Sequence, residues 1–188
     1  MTALTVYPVK SMRGVELQEA ELTPMGLRHD RRFMVIRAGG TFVTQRDTPA
    51  MALIDTAIDD TGLVLSREGR GFVRVPFDAD GEEALTTRVW KDPCEVSAQG
   101  EVISRWITEA LDSAEPLKLV AMAPGFRRRM SKGGSLGRGN RVLFADAAPF
   151  LVANDASLTA VNDALAPTGK PRLLMNRFRP NITVSGLR

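Results

Sequence analysis

From Leu4 to Pro76 apolar residues recur in short alternating runs, broken every few residues by glycine, aspartate or proline, and this pattern favours strands over helices. Leu4 and Val6 alternate, as do Val15, Leu17 and Leu22. Phe33–Ile36 and Thr41–Thr44 flank Gly39-Gly40, and glycines at both turn positions tolerate the positive φ angles of a two-residue hairpin turn. Asp59-Asp60-Thr61-Gly62 marks a turn between residues 53–58 and 63–66, and Asp78-Ala79-Asp80-Gly81 marks a third; neither aspartate pair has the spacing of a calcium loop. The period changes between Gly100 and Asp112, where Val102, Ile103, Trp106, Ile107, Ala110 and Leu111 share one helical face, with Trp106 expected in the core. Leu117–Val120 then reads as a strand. The expected fold is therefore mainly β with a few helices, an α+β chain whose first part forms a small barrel or sandwich.

Residues 125–141 break the pattern. They carry Arg127, Arg128, Arg129, Lys132, Arg138 and Arg141 and no acid, so the net charge of +3 is local and the remainder of the chain sits at −3. Gly133, Gly134, Gly137 and Gly139 favour a lid or linker, and the Gly-Lys-Ser/Thr ending of a nucleotide phosphate loop is missing. A boundary is expected here, dividing the chain into residues 1–121, a basic loop at 122–140 and a second unit at 141–188. In that unit Val142–Phe144 and Phe150–Val152 are apolar. A helix follows, capped by Asp155 or Ser157, with Leu158, Val161 and Leu165 as its buried face and Pro167 and Gly169 as its stop.

Leu173–Met175 and Ile182–Val184 then bracket Arg177-Phe178-Arg179-Pro180-Asn181. Two arginines around an aromatic, a proline that fixes the backbone and an amide that donates and accepts suit a polyanion; a surface turn leading into a strand has the same composition. Cys94 is the single cysteine and His29 the single histidine, which excludes an internal disulfide framework and a Cys/His metal cluster, so any metal must arrive inside a cofactor. His29 is expected to be exposed and without a role. An aromatic share of 6% argues against a protein that grips single strands by stacking. No apolar run approaches a membrane span and no basic leader precedes a hydrophobic block, so a cytoplasmic location with no membrane partner is expected.

Tyr7-Pro8-Val9-Lys10-Ser11-Met12-Arg13-Gly14, Met25-Gly26-Leu27-Arg28, Asp30-Arg31-Arg32-Phe33, residues 150–158 with Asn162, and Arg177-Phe178-Arg179-Pro180-Asn181 together resemble one family, the MOSC proteins. The first half is similar to the N-terminal β-barrel domain that precedes many MOSC domains, and residues from about 141 onward are similar to the first part of the MOSC domain, an incomplete second barrel. The resemblance implies a molybdenum-cofactor oxidoreductase of the amidoxime-reducing kind, with a molybdopterin between two domains and N-hydroxylated compounds as substrates. It implies that Lys10, Ser11 and Arg31 bind the pterin and its phosphate from one side and that Arg179 and Asn181 answer from the other. Ala147 and Ala148 fall where the family uses backbone contacts to the same ligand. Read without the resemblance, Lys10 is an edge-strand lysine and Asp30–Arg31 a surface ion pair.

In the family the molybdenum is held by a cysteine that follows the Arg-Phe-Arg-Pro-Asn segment. Cys94 does not match that position and reads as a small buried residue. No residue is therefore assigned a catalytic or metal-ligating role, and the chain is expected to be a fragment or a degenerate member, with strands near Ile182–Val184 left as open edges that invite self-association. Electrons would come from a separate flavin or iron–sulfur protein, because no ferredoxin cysteine set or dinucleotide fingerprint is present. Two other readings stand beside this one: a sulfur carrier to molybdenum cofactor, as some MOSC domains are, and a nucleic-acid-binding β-barrel that uses the basic residues of 125–141.

Overall fold

The computed structural model describes residues 1–78, 81–128 and 141–186. The strands are β1 (Ala3–Val6), β2 (Val15–Glu16), β3 (Leu22–Thr23), β4 (Gly26–Leu27), β5 (Phe33–Arg37), β6 (Asp55–Asp59), β7 (Gly62–Arg67), β8 (Gly71–Pro76), β9 (Glu83–Val89) and β10 (Asp92–Ala98). Helix α1 (Glu101–Ala110) precedes β11 (Leu117–Met122); β12 (Val152–Asn154), α2 (Asp155–Leu165) and β13 (Ile182–Val184) complete the order. The chain is mainly β with two α-helices among the described residues, as the alternation and the one change of period require. Its strands pair in the orders β5-β11-β10-β9, β6-β7-β8, β12-β13-β1-β2 and β3-β4, with no closed ring of strands among the described residues.

The expected hairpin turns are present. Val43 N–H donates to Val35 and Arg37 N–H to Thr41 across Gly39-Gly40, and β6 returns as β7 through Asp59–Gly62. At that turn Gly62 has φ +158, and a Cβ there would meet the Val75 carbonyl oxygen, so close strand packing holds the position to glycine. Of the third turn, Ala79 and Asp80 lie outside the described residues, as do Arg129, Lys132, Arg138 and the four loop glycines.

Strand β5 is buried on both faces and divides the interior. Phe33 and Val35 join Val9, Met12, Leu63, Leu65, Ile103, Ile107 and Leu119 in one core, while Met34 and Ile36 join Val89, Cys94, Val96, Val120 and Phe144 in another. The period of two sends consecutive side chains to opposite faces, so four neighbouring residues serve both cores. Helix α1 lays Ile103, Ile107 and Ala110 on the first core, and Trp106 packs at its margin with its indole N–H donating to Arg70 O at 2.9 Å. Val102, expected on this face, is 72% exposed because it points one turn edge away from the Ile103–Ile107 stripe.

A third sheet joins the two ends of the sequence. β1 pairs antiparallel with β13, Ala3 opposite Thr183, and β13 pairs parallel with β12. Elements on either side of the expected boundary thus share one sheet. Asn154 caps α2 by accepting from Ala156 N–H at 3.2 Å, in place of the expected Asp155 or Ser157. The helix also differs in burial: Asn162 is its one buried residue, Leu158 and Leu165 are half-buried and Val161 is 41% exposed. Asn162 is drawn in by polar pairing, its amide bonding both the N–H and the C=O of Leu173.

Candidate functional site

Val9 and Phe33 form a parallel bridge, and Lys10 N–H donates to Phe33 O at 2.8 Å, so the residues after β1 are laid along the start of β5. This brings Lys10 and Ser11 beside Arg31. Phe144 N–H donates to Arg31 O at 3.0 Å, and Asn181 N–H donates to Leu151 O at 2.8 Å, which draws residues 144–151 across the same place and docks the segment before β13 behind them. The result is a cleft of about 440 Å³ lined by all seven residues expected there: Lys10, Ser11, Arg31, Ala147, Ala148, Arg179 and Asn181.

Asp30 sits beneath the cleft, 5% exposed. Its carboxylate accepts from Tyr7 N–H at 2.8 Å, from Arg31 at 2.7 and 2.6 Å and from the Asn181 amide at 2.9 Å. The alternative of a surface ion pair therefore fails: burial pushes the Asp30 carboxyl above the ordinary carboxylate value, and the Arg31 guanidinium works against that. The Arg31 and Arg179 guanidiniums lie over the ring of Tyr7, at 4.5 and 4.3 Å from its centroid, so one aromatic positions two like charges. Burial, with the nearby Arg31 charge, pushes Arg179 down to about 10, which leaves it cationic at neutral pH. Arg179 Nη1 donates to Met12 O, and its Nη2 is buried without an acceptor among the described residues.

The other donors differ in availability. Lys10, 5% exposed, donates to Phe144 O at 3.1 Å and to Asp146 at 2.5 Å. Burial lowers its pKa and Asp146 opposes the shift. Ser11 takes a left-handed backbone, φ +69, and its hydroxyl has no hydrogen-bond partner among the described residues. Asn181 is fully engaged: its amide nitrogen donates to Thr5 O and Asp30, and its oxygen accepts from Arg31 and Leu151 N–H. In this arrangement its side chain joins the walls of the cleft and has no free group to offer a ligand.

Other lining residues escaped the sequence reading. Thr44, Gln45 and Arg46 line the cleft opposite Arg179, and Gln45 donates to Ser11 O at 2.7 Å. Their turn is closed by Asp47, which accepts from Thr44 N–H at 2.8 Å; the Thr-x-x-Asp spacing was the available signal. Asp146 is the one acid in the lining, and it also accepts from the Trp90 indole at 2.8 Å. Cys94 is 2% exposed in the second core and does not line the cleft. His29 departs from expectation: it is half-buried, stacked on Phe77 at 3.9 Å between centroids. Arg128 departs further, being 1% exposed and bonded to Asp92 and to Ala145 O, so it is withdrawn from any surface patch.

A mainly β chain whose cationic cleft lies between the residues after β1 and those before β13 fits one class of protein. Residues 1–114 match the MOSC N-terminal beta barrel domain and residues 139–188 match the MOSC domain. The chain belongs to the MOSC family, in the form that carries the N-terminal barrel domain. It is 36% identical over 190 residues to mitochondrial amidoxime-reducing component 1 of Homo sapiens, covering 97% of this chain and 55% of that protein. The same component of Mus musculus is 33% identical over 97% of this chain and 54% of its own length, and component 2 of Bos taurus is 29% identical over 99% and 56%. The chain spans about half the length of these curated relatives. A solution structure of a Bordetella bronchiseptica protein covers 57% of this chain and 91% of its own, with a TM-score of 0.43 at 18% identity, too low to establish a shared fold.

Proposed function

We propose that the cleft binds a molybdenum cofactor through its pterin and phosphate, in a protein that reduces N-hydroxylated substrates with electrons from a separate flavin or iron–sulfur protein. MOSC domains are associated with molybdenum cofactor, and the relatives are amidoxime-reducing components by name. The observation that carries the reading is Arg179 Nη2, a buried charged donor without an acceptor among the described residues. Leaving such a donor unpaired costs about 1–3 kcal/mol, and a phosphate or pterin oxygen in the cleft removes that cost.

The residues fit the organic part of the cofactor. Arg31 and Arg179 both lie over Tyr7, Ser11 offers a hydroxyl, and Lys10 adds a charge that an incoming phosphate would share with Asp146. Ala147 and Ala148 have no polar side chain and contribute main-chain groups. The metal, when bound, supplies the redox chemistry; this chain's residues grip, orient and screen the pterin. No cleft-lining residue is a thiolate, so the metal side of the site draws nothing from Cys94.

The test is pterin content. The chain is produced in a host that makes molybdopterin, and pterin fluorescence after oxidation is measured per folded chain for wild type, Ser11→Ala and Arg179→Ala. Pterin in the wild type that falls in both variants at unchanged circular dichroism supports the proposal. A folded wild type that carries no pterin and takes none up on incubation overturns it.

A further inference from the structure

Arg28-His29-Asp30-Arg31-Arg32 serves two places. Asp30 and Arg31 build the cleft described above, whereas Arg28, His29 and Arg32 line a second groove of about 830 Å³ that shares no lining residue with the first. Arg127 and Arg141 complete the second groove, and Asp78 is the single carboxylate in its lining. Arg32, Arg127 and Arg141 form no ion pair with any described residue, and Arg28 is paired with the exposed Glu21. Arg28 and Arg32 repel each other, Glu21 and Asp78 offset them in part, and with Arg127 and Arg141 also in the lining the groove carries an excess of positive charge that an anion of charge −2 or more relieves.

We infer that this groove is a second anion site, taking a small phosphate-bearing molecule between Arg28/Arg32 on one side and Arg127/Arg141 on the other. Its floor is rigid. His29 stacks on Phe77 with 21° between the rings, and Arg32 lies over the same ring at 5.7 Å while donating to the Phe77 carbonyl. His29 Nδ1 and Arg32 Nε are buried and have no partner among the described residues. The arginines line a space of ligand size from three separate segments, which suits a compact phosphate better than a strand that needs an extended track. The aromatic residues are already packed, His29 on Phe77 and Phe126 against the second core, so they offer no platform for unpaired bases.

His29 reports on this site directly. Burial, then Arg28 and Arg32, hold its imidazole below the ordinary histidine value, and Glu21 opposes them; Asp78 also lines the groove. A bound phosphate adds negative charge beside the ring and raises that value. His29 is the only histidine, so its imidazole resonances are unambiguous. Pyrophosphate is titrated into the labelled chain at constant ionic strength, with sodium chloride as the control, and the His29 shift and its pH midpoint are followed by NMR.

The expected result is a saturable shift with a raised midpoint, at least tenfold weaker in an Arg127→Gln/Arg141→Gln variant, whose two exposed positions leave the fold intact, and unchanged in Arg179→Ala. A shift that chloride reproduces, or that survives in the double variant, overturns the inference. An oligonucleotide that displaces pyrophosphate with an affinity falling steeply with salt also overturns it, in favour of a nucleic-acid surface.

Discussion

The amide of Asn181 donates to the carboxylate of Asp30 at 2.9 Å, in a pair separated by 151 positions in sequence. The same side chain bonds Thr5 O, Arg31 and Leu151 N–H, so one residue ties β1, the Asp30–Arg31 turn and the 144–151 segment together. Asn181→Ala removes all four of these bonds, that to the buried Asp30 among them, and is expected to destabilise the chain by about 3 kcal/mol. In urea the midpoint falls with an unchanged slope. A loss below about 1 kcal/mol would mean that water replaces the amide and that the residue does not hold the segments together.

Arg179 acts through its shape as well as its charge. It lies over Tyr7, donates to Met12 O and retains a nitrogen without a partner among the described residues; a lysine offers no planar face and no second nitrogen. Arg179→Lys is expected to lower pterin affinity about ten- to a hundredfold, the equivalent of one lost charge-assisted hydrogen bond, while changing unfolding by less than about 1 kcal/mol. Equal pterin affinity in the lysine variant would reduce the role of Arg179 to a point charge.

Several carboxylates resist protonation in the folded chain. At Asp59 the hydrogen bonds from Arg74 and Thr61 lower the pKa, at Asp112 that from Arg67 does so, and at Asp146 burial works the other way but is outweighed by Lys10. A depressed folded value means that the unfolded chain binds protons first. The stability from these groups is complete above the ordinary carboxylate value, about 4, and is lost as pH falls through the folded values. Asp30, raised by burial, contributes with the opposite sign. The urea midpoint is therefore expected to decline below about pH 4, and Asp59→Asn to flatten that decline. Matching slopes for wild type and variant would show that the Arg74 pair adds nothing.

Cys94 is buried among Val89, Val96 and Phe144, and burial pushes its thiol up while Arg128 opposes the shift. At neutral pH its reaction with a disulfide reagent is expected to be about a hundredfold slower than in the unfolded chain and to follow the opening of the second core. Rapid labelling of the folded chain would place the thiol at an accessible surface.

Much of this architecture is readable from local pattern, and the rest depends on pairs that no local pattern encodes. The hairpins at Gly39-Gly40 and Asp59–Gly62 and helix α1 follow from period and turn chemistry. Lys10, Ser11, Arg31 and Arg179 emerged as a set because their motifs were taken together. Arg128 looked like a member of a solvated basic run; its burial depends on Asp92, 36 positions earlier, which meets it only once β10 is in place. Thr44–Arg46 likewise reach the cleft because the hairpin turns back at Gly40, and Val161 looked like core because apolar spacing gives no information on whether a neighbour covers it.

The pairing of Ala3 with Thr183 sets an order of assembly. β1 cannot complete its sheet until β13 has been made, roughly ten to forty seconds later at ordinary elongation rates. Meanwhile β5–β11, with α1 packed on β11, can form from sequence already present, so the two internal cores are available as a template before the cleft exists. Closure of the cleft then waits on the Arg177–Asn181 segment, which must be free to reach Tyr7. A chain cut before that segment would keep the two cores that β5 divides and lose the wall that carries Arg179, the Asn181 bonds and the β1–β13 pairing.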